Sequence, residues 1–191
     1  MEIMLAGSGG QGILFLGNIL SLAAAEKGMR VVTTPSYGAA VRGGDVKCGV
    51  IISDEEILDP VVDEADITVA LSEASLKQFA PKGKEGGTLI YERSEKTTAI
   101  VASLNKQFQL ISIPLLDLGP ARYHNMIAMG VLLQIYPDLN FDLIEDVLTK
   151  DLKKRNKESF LEENLKAIRE GSRWYLGEKG KQRGCHVSNR L

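Results

Sequence analysis

The chain has 191 residues, the size of one ordinary domain that buries its own core without staples. Its two cysteines, Cys48 and Cys185, and two histidines, His124 and His186, exclude a disulfide scaffold, a four-cysteine zinc or iron–sulfur site and a histidine-rich metal centre. The net charge of −2 is unevenly spread: residues 1–149 carry 11 basic and 19 acidic side chains (−8), residues 150–191 carry 12 and 6 (+6), which places a docking surface, a solvated helical face or a tail for an acidic partner at the C-terminal end.

Residues 2–6 read as a short buried strand. A glycine cluster, Gly7-Ser8-Gly9-Gly10-Gln11-Gly12, follows at once. Residues 13–27 then read as a helix with Leu16, Ile19, Leu20 and Ala23 on its apolar side, ended by Gly28. Met29 to Thr33 is a second strand, and Pro35 to Gly44 a loop. Val46, Cys48, Val50 and Ile52 alternate strictly, which predicts a strand with one well-buried face and antiparallel or edge character. Residues 66–71 form another strand, ending at Ser72, which caps a helix over 73–80. A turn over 81–87, a strand over 88–91, a helix over 97–107 and a strand over 109–113 come next. Residues 121–136 are apolar on nearly every side, the pattern of a buried helix.

Beyond Pro137, Phe141, Ile144, Leu148 and Leu152 form a helical stripe. Ser159 and Glu162 fit a capping box for a last helix that Gly171 ends. From Gly177 the chain is polar and basic, the composition of a mobile tail over 177–191. Strand, glycine loop, helix and strand open a Rossmann-like, doubly wound α/β fold with a mostly parallel sheet and a helical C-terminal segment, all in one domain over 1–176. No apolar run reaches the roughly 18 residues of a membrane span. The N-terminus lacks a basic n-region and a small-residue cleavage site, so a cytoplasmic protein is expected. Basic residues without interleaved aromatics argue against nucleic acid.

Gly7-x-Gly9-x-x-Gly12 sits between a strand and a helix, where free N–H groups and the helix dipole favour an anion. The first glycine allows the turn, the second lets a phosphate approach and the third lets helix and strand pack. The acidic residue that a nicotinamide reader needs about 20 residues on is missing, because the second strand ends Thr33-Thr34-Pro35. A Walker lysine is missing too. The alternative is that these glycines only permit close packing. Cys48 reads as a small core residue and His124 as structural. Cys185-His186 is incidental, and Trp174-Tyr175 is either a partner contact or an anchor of the last helix.

Together, the Gly7–Gly12 loop, Pro35-Ser36-Tyr37-Gly38 running into Arg42-Gly43-Gly44, the strand end Ile52-Ser53-Asp54, and Asn125-Met126 with Gly130 resemble the gamma subunit of 2-oxoacid:ferredoxin oxidoreductases over residues 1–175. Where that family often carries an acidic residue before Arg-Gly-Gly, this chain has Ala39-Ala40-Val41, which leaves the substrate subtype open. The resemblance implies oxidative decarboxylation of a 2-oxoacid with coenzyme A, giving acyl-CoA, carbon dioxide and reduced ferredoxin. A short separate gamma chain points to 2-oxoglutarate. Thiamine diphosphate, Mg and the iron–sulfur clusters fall to alpha, beta and delta subunits, leaving this chain inert alone and beside coenzyme A.

On that reading, backbone N–H groups of Gly9, Gly10, Gln11 and Gly12 hold a phosphate beyond the Gly7 turn. Arg42 neutralises it, Gly43 and Gly44 let the backbone approach, and Gln11 and Tyr37 add neutral hydrogen bonds. Two bland roles stand beside these: Arg42 pairing with Asp45 or crossing an interface, and Asn125 tying its helix to a neighbouring loop. Two other functions remain open, an independent NAD- or flavin-binding oxidoreductase and a purely architectural subunit.

Overall fold

Buried strands and apolar helices alternate along the chain and stack as helices on both faces of one sheet. The structure, a computed structural model, describes residues 1–37 and 44–187, with side chains except at Tyr37 and 179–187. The strands are β1 (Glu2–Ser8), β2 (Arg30–Tyr37), β3 (Asp45–Ser53), β4 (Ala65–Ala70), β5 (Gly83–Glu92) and β6 (Gln109–Ile113). The helices are α1 (Ile13–Glu26), α2 (Glu73–Phe79), α3 (Glu95–Ala102), α4 (Leu115–Leu118), α5 (His124–Ile135), α6 (Phe141–Lys154) and α7 (Leu161–Val187).

The sheet order is β2-β3-β1-β4-β5-β6. β1, β4, β5 and β6 run parallel, while β3 is antiparallel to both neighbours, with Leu5 opposite Cys48 on one side and Val69 on the other. The antiparallel character expected of residues 46–52 is present, and β3 lies one strand in from an edge. The edge on that side is β2, which continues through Pro35 to Tyr37 where a loop was expected. An outermost strand has one unpaired side, so a proline without an N–H is tolerated there.

β1 is buried on both faces, which explains its continuous apolar run. Ile3 and Leu5 face α1, α5, α6 and α7, while Met4 and Ala6 lie with Ile51, Val62 and Phe79 on the other side. Leu89 and Tyr91 continue that second layer beneath Leu76. Ser72 caps α2 as expected, through a reciprocal box with Ser75. A second box, Ser94 with Thr97, starts α3 earlier than the expected residue 97 and moves the whole helix forward.

The long apolar helix is as buried as its pattern predicts: all residues from His124 to Leu133 are inside. Its neighbour α7 corrects two expectations. Ser159 lies within a 3-10 turn, Glu158–Phe160, rather than at an N-cap. Gly171 does not stop the helix, which continues to Val187; residues 188–191 of the expected tail lie outside the described residues. Gly171 instead faces the Ile127 carbonyl, and Gly130 faces Ile168, so two glycines let the backbones of α5 and α7 touch. Ser172 seals the contact by donating to Gly130 O at 2.9 Å.

Candidate functional site

The glycine loop crosses from the C-terminal end of β1 to the first turn of α1, beside the end of β4. Its neighbours explain its composition. A β-carbon at Gly7 would stand 2.6 Å from Gln11 Oε1 and 2.8 Å from Ile13 Cδ1. Gly12 is the N-cap of α1 with φ +71°, and a β-carbon there would collide with Asn125 Nδ2. Gly10 also needs positive φ, +96°, but nothing lies within 4 Å of where its side chain would be. The loop is therefore closed against protein at Gly7 and Gly12 and open at Gly10.

Gln11 holds the loop in place. Its Oε1 accepts from the Ser8 N–H at 2.6 Å and its Nε2 donates to Leu71 O at 2.7 Å, joining the ends of β1 and β4. The side chain expected to meet a ligand is thus engaged within the fold. Asn125 does what its structural reading expects: 4% exposed, it donates from Nδ2 to Gly12 O at 3.2 Å and accepts from the Met126 N–H at 2.9 Å. The Gly9 N–H donates to Gly44 O at 2.9 Å, and the Gln11 N–H to Ser8 O at 3.1 Å. Among the described residues, the N–H groups of Gly10 and Gly12 have no partner and lie at the positive end of the α1 dipole.

The Gly9–Gly44 hydrogen bond fastens the start of β3 to the glycine loop. Arg42 and Gly43 precede Gly44 immediately but lie outside the described residues. Tyr37 ends β2 with its backbone opposite Val46, and its side chain is not described. The sequence reading missed the recess on the other side of Gly12. It has a volume of about 280 Å³, with Arg122, Arg155 and Lys157 around Phe15 and Tyr123. The basic excess after residue 149 was its only signal, and Arg122 lies outside that span.

Two groups elsewhere behave as their patterns imply. Burial pushes the Cys48 thiol up to about 11, as suits an inert core residue. His124 is 3% exposed, with Nε2 3.0 Å from Gly119 O. Among the described residues, no three His, Cys, Asp or Glu side chains converge as metal ligands. No described helix is long and apolar enough to cross a membrane.

Comparison with known proteins places this geometry. A family model described as pyruvate ferredoxin/flavodoxin oxidoreductase matches residues 2–174. Ketoisovalerate oxidoreductase subunit VorA of Methanothermobacter marburgensis is 31% identical over 179 residues, 91% of this chain but 36% of that protein. The chain thus spans little more than a third of such relatives. 2-Oxoglutarate synthase subunit KorC of Archaeoglobus fulgidus is 32% identical over 171 residues, 90% of this chain and 86% of that one. The crystal structure of a keto/oxoacid ferredoxin oxidoreductase gamma subunit from Geobacter sulfurreducens matches with a TM-score of 0.73 and 28% identity, covering 92% of this chain and 98% of that chain.

Proposed function

We propose, from the premise that this chain belongs to the pyruvate ferredoxin/flavodoxin oxidoreductase family, that it is the gamma-type subunit of a heteromeric 2-oxoacid:ferredoxin oxidoreductase. The observation that carries this reading is the family match from residue 2 to residue 174, nearly the whole described domain. The assembled enzyme cleaves carbon dioxide from a 2-oxoacid, joins the remaining acyl group to the coenzyme A thiol and passes the two released electrons to ferredoxin. Thiamine diphosphate with its Mg²⁺ supplies the carbon–carbon cleavage and iron–sulfur clusters the electron path. The family resemblance assigns these groups to alpha, beta and delta partners, and two cysteines, one of them buried, agree in not fitting a four-cysteine cluster.

This chain's own part is to hold coenzyme A. The Gly10 and Gly12 N–H groups at the α1 N-terminus meet a phosphate in the open space over Gly10, and Arg42, two residues before Gly44 in the sequence, neutralises it. Gln11 and Asn125 act as positioning residues for that loop. The substrate is 2-oxoglutarate, a reading supported by local identity: a 2-oxoglutarate synthase KorC subunit is 46% identical over 92 residues, against 31% over 179 for the ketoisovalerate relative. A second reading, a purely architectural loop, draws on the closure of Gly7 and Gly12 against protein.

Anaerobic affinity purification from the native host tests the assembly. Larger subunits and a brown iron–sulfur absorbance are expected, with turnover of 2-oxoglutarate over pyruvate and 2-oxoisovalerate. A colourless protein, alone or self-associated, defeats the proposal. Gly10→Ala then separates the two roles of the loop: lowered coenzyme A affinity in an intact complex supports the ligand, and failed assembly supports architecture.

A further inference from the structure

A groove of about 500 Å³ runs between α1 and α6. Its floor is apolar, with Val147 buried and Leu22 41% exposed. Its rim is cationic: Lys150, Lys154 and Arg155 stand over it. Arg155 also lines the recess beside Gly12, where Arg122 and Lys157 add two more charges, so the groove and recess form one basic strip along α1. Residues 150–157 hold five cations, Lys150, Lys153, Lys154, Arg155 and Lys157, against the single anion Asp151, in a chain whose net charge is −2.

Internal needs account for only part of this charge. Lys153 and Lys154 sit in the last turn of α6 and offset its dipole, but Lys150 lies a turn earlier, and Lys157 and Arg122 lie off the helix. Arg155 is bound to Asp151 at 2.7 Å. Lys150 reaches Glu26 at 2.7 Å, an exposed pair that is readily exchanged. Among the described residues, Lys153, Lys154 and Lys157 have no acidic side chain within 4 Å. The exposed Leu22 and the carboxylates of Glu26 and Asp151 in the same groove suit a mixed apolar and acidic peptide surface better than a uniform polyanion.

We infer that the α1–α6 groove is the docking surface for an acidic, apolar-bearing segment of a partner subunit of the complex. The inference rests on the gamma-subunit reading above. The apolar floor takes one or two side chains of the segment, and the lysine rim steers and orients it.

The test uses the assembled complex. In it, Lys150 and Lys154 should react with an amine-acylating reagent about tenfold more slowly than in the free chain, because a docked carboxylate holds and covers them. A zero-length carbodiimide should join these lysines to Asp or Glu of a partner subunit. The Lys150→Glu/Lys154→Glu variant should stay folded, melting a few degrees lower for the lost Glu26 pair and the uncompensated α6 dipole, yet weaken assembly about tenfold at low salt, with a smaller loss at high salt where the charges are screened. Equal lysine reactivity in free chain and complex overturns the inference while leaving the gamma-subunit reading intact, as do cross-links that join two copies of this chain. Unchanged assembly of the folded variant does the same. Failure of the native chain to assemble at all overturns both.

Discussion

Replacing Gly130 by alanine puts the α5–α7 contact under direct load. The new β-carbon would lie well inside 3.0 Å of the Ile168 carbonyl and 2.8 Å from the Ser172 nitrogen. Both are backbone atoms and cannot rotate aside. Relief requires the helices to part by roughly 1 Å, in an interior packed to crystal-like density. The movement also strains the Ser172–Gly130 hydrogen bond and the matching contact of Gly171 with Ile127. Overpacking of this kind costs about 3 kcal/mol, and the better helix propensity of alanine returns about 1 kcal/mol. A net loss of about 2 kcal/mol lowers Tm by roughly 4–8 °C in a chain of this length. Thermal unfolding followed by circular dichroism reads this out, with Gly177→Ala as the control. Gly177 lies in the same α7 helix and has nothing within 4 Å of its β-carbon, so its substitution should raise stability by up to about 1 kcal/mol. A Gly130→Ala protein that melts at or above the native temperature refutes the argument.

Three further outcomes follow from the structure. Gly12→Ala should destabilise by about 2 kcal/mol or more, through positive φ and the Asn125 collision together, and adding Asn125→Ala should recover part of that loss in a denaturant-based double-mutant cycle; strict additivity would show that the two residues do not press on each other. Burial pushes the Asp66 carboxyl up, but the Glu2 N–H and the Lys84 ammonium outweigh it and hold it below its ordinary value. Its stabilisation is therefore full above about pH 4 and is lost as pH falls through the lower folded value, so Asp66→Asn should flatten the acid side of a stability–pH curve, and an unchanged slope there would contradict the assignment. In a Cys185→Ser background, Cys48, with its thiol pushed up to about 11 inside the core, should resist a thiol reagent at pH 8 until the protein unfolds; prompt labelling of the native protein would show that the core opens there.

Much of this architecture is legible in the residues because it depends on local pattern. The alternation from Val46 to Ile52, the apolar run from His124 and the serine before residue 73 each specify their element unaided. The misread places are those where the decisive neighbour is remote in sequence. Gly171 has the chemistry of a helix stop, yet its lack of a side chain serves a helix some 40 residues earlier in the chain. Pro35 is a loop signal unless its strand has one unpaired side, and strand order is not written locally. At the site, the glycine spacing marked where the loop would be, and Asn125 was foreseen as a tie. That Gln11 faces inward depends on Leu71, sixty residues away, and no motif announces it.

The insertion of β3 between β2 and β1 has a consequence for synthesis. Of the six strands β1 leaves the ribosome earliest, yet its two neighbours are completed only when residues 53 and 70 have been added. At the usual elongation rate of about 5–20 residues per second, the segment around Ile3 and Leu5 waits on the order of seconds before both its edges can be paired. The β2–β3 hairpin closes locally in far less time, so the nascent chain has its outer ribbon before its central strand is enclosed. The topology thus makes the pairing of Glu2–Ser8 on both sides wait for residues synthesised later.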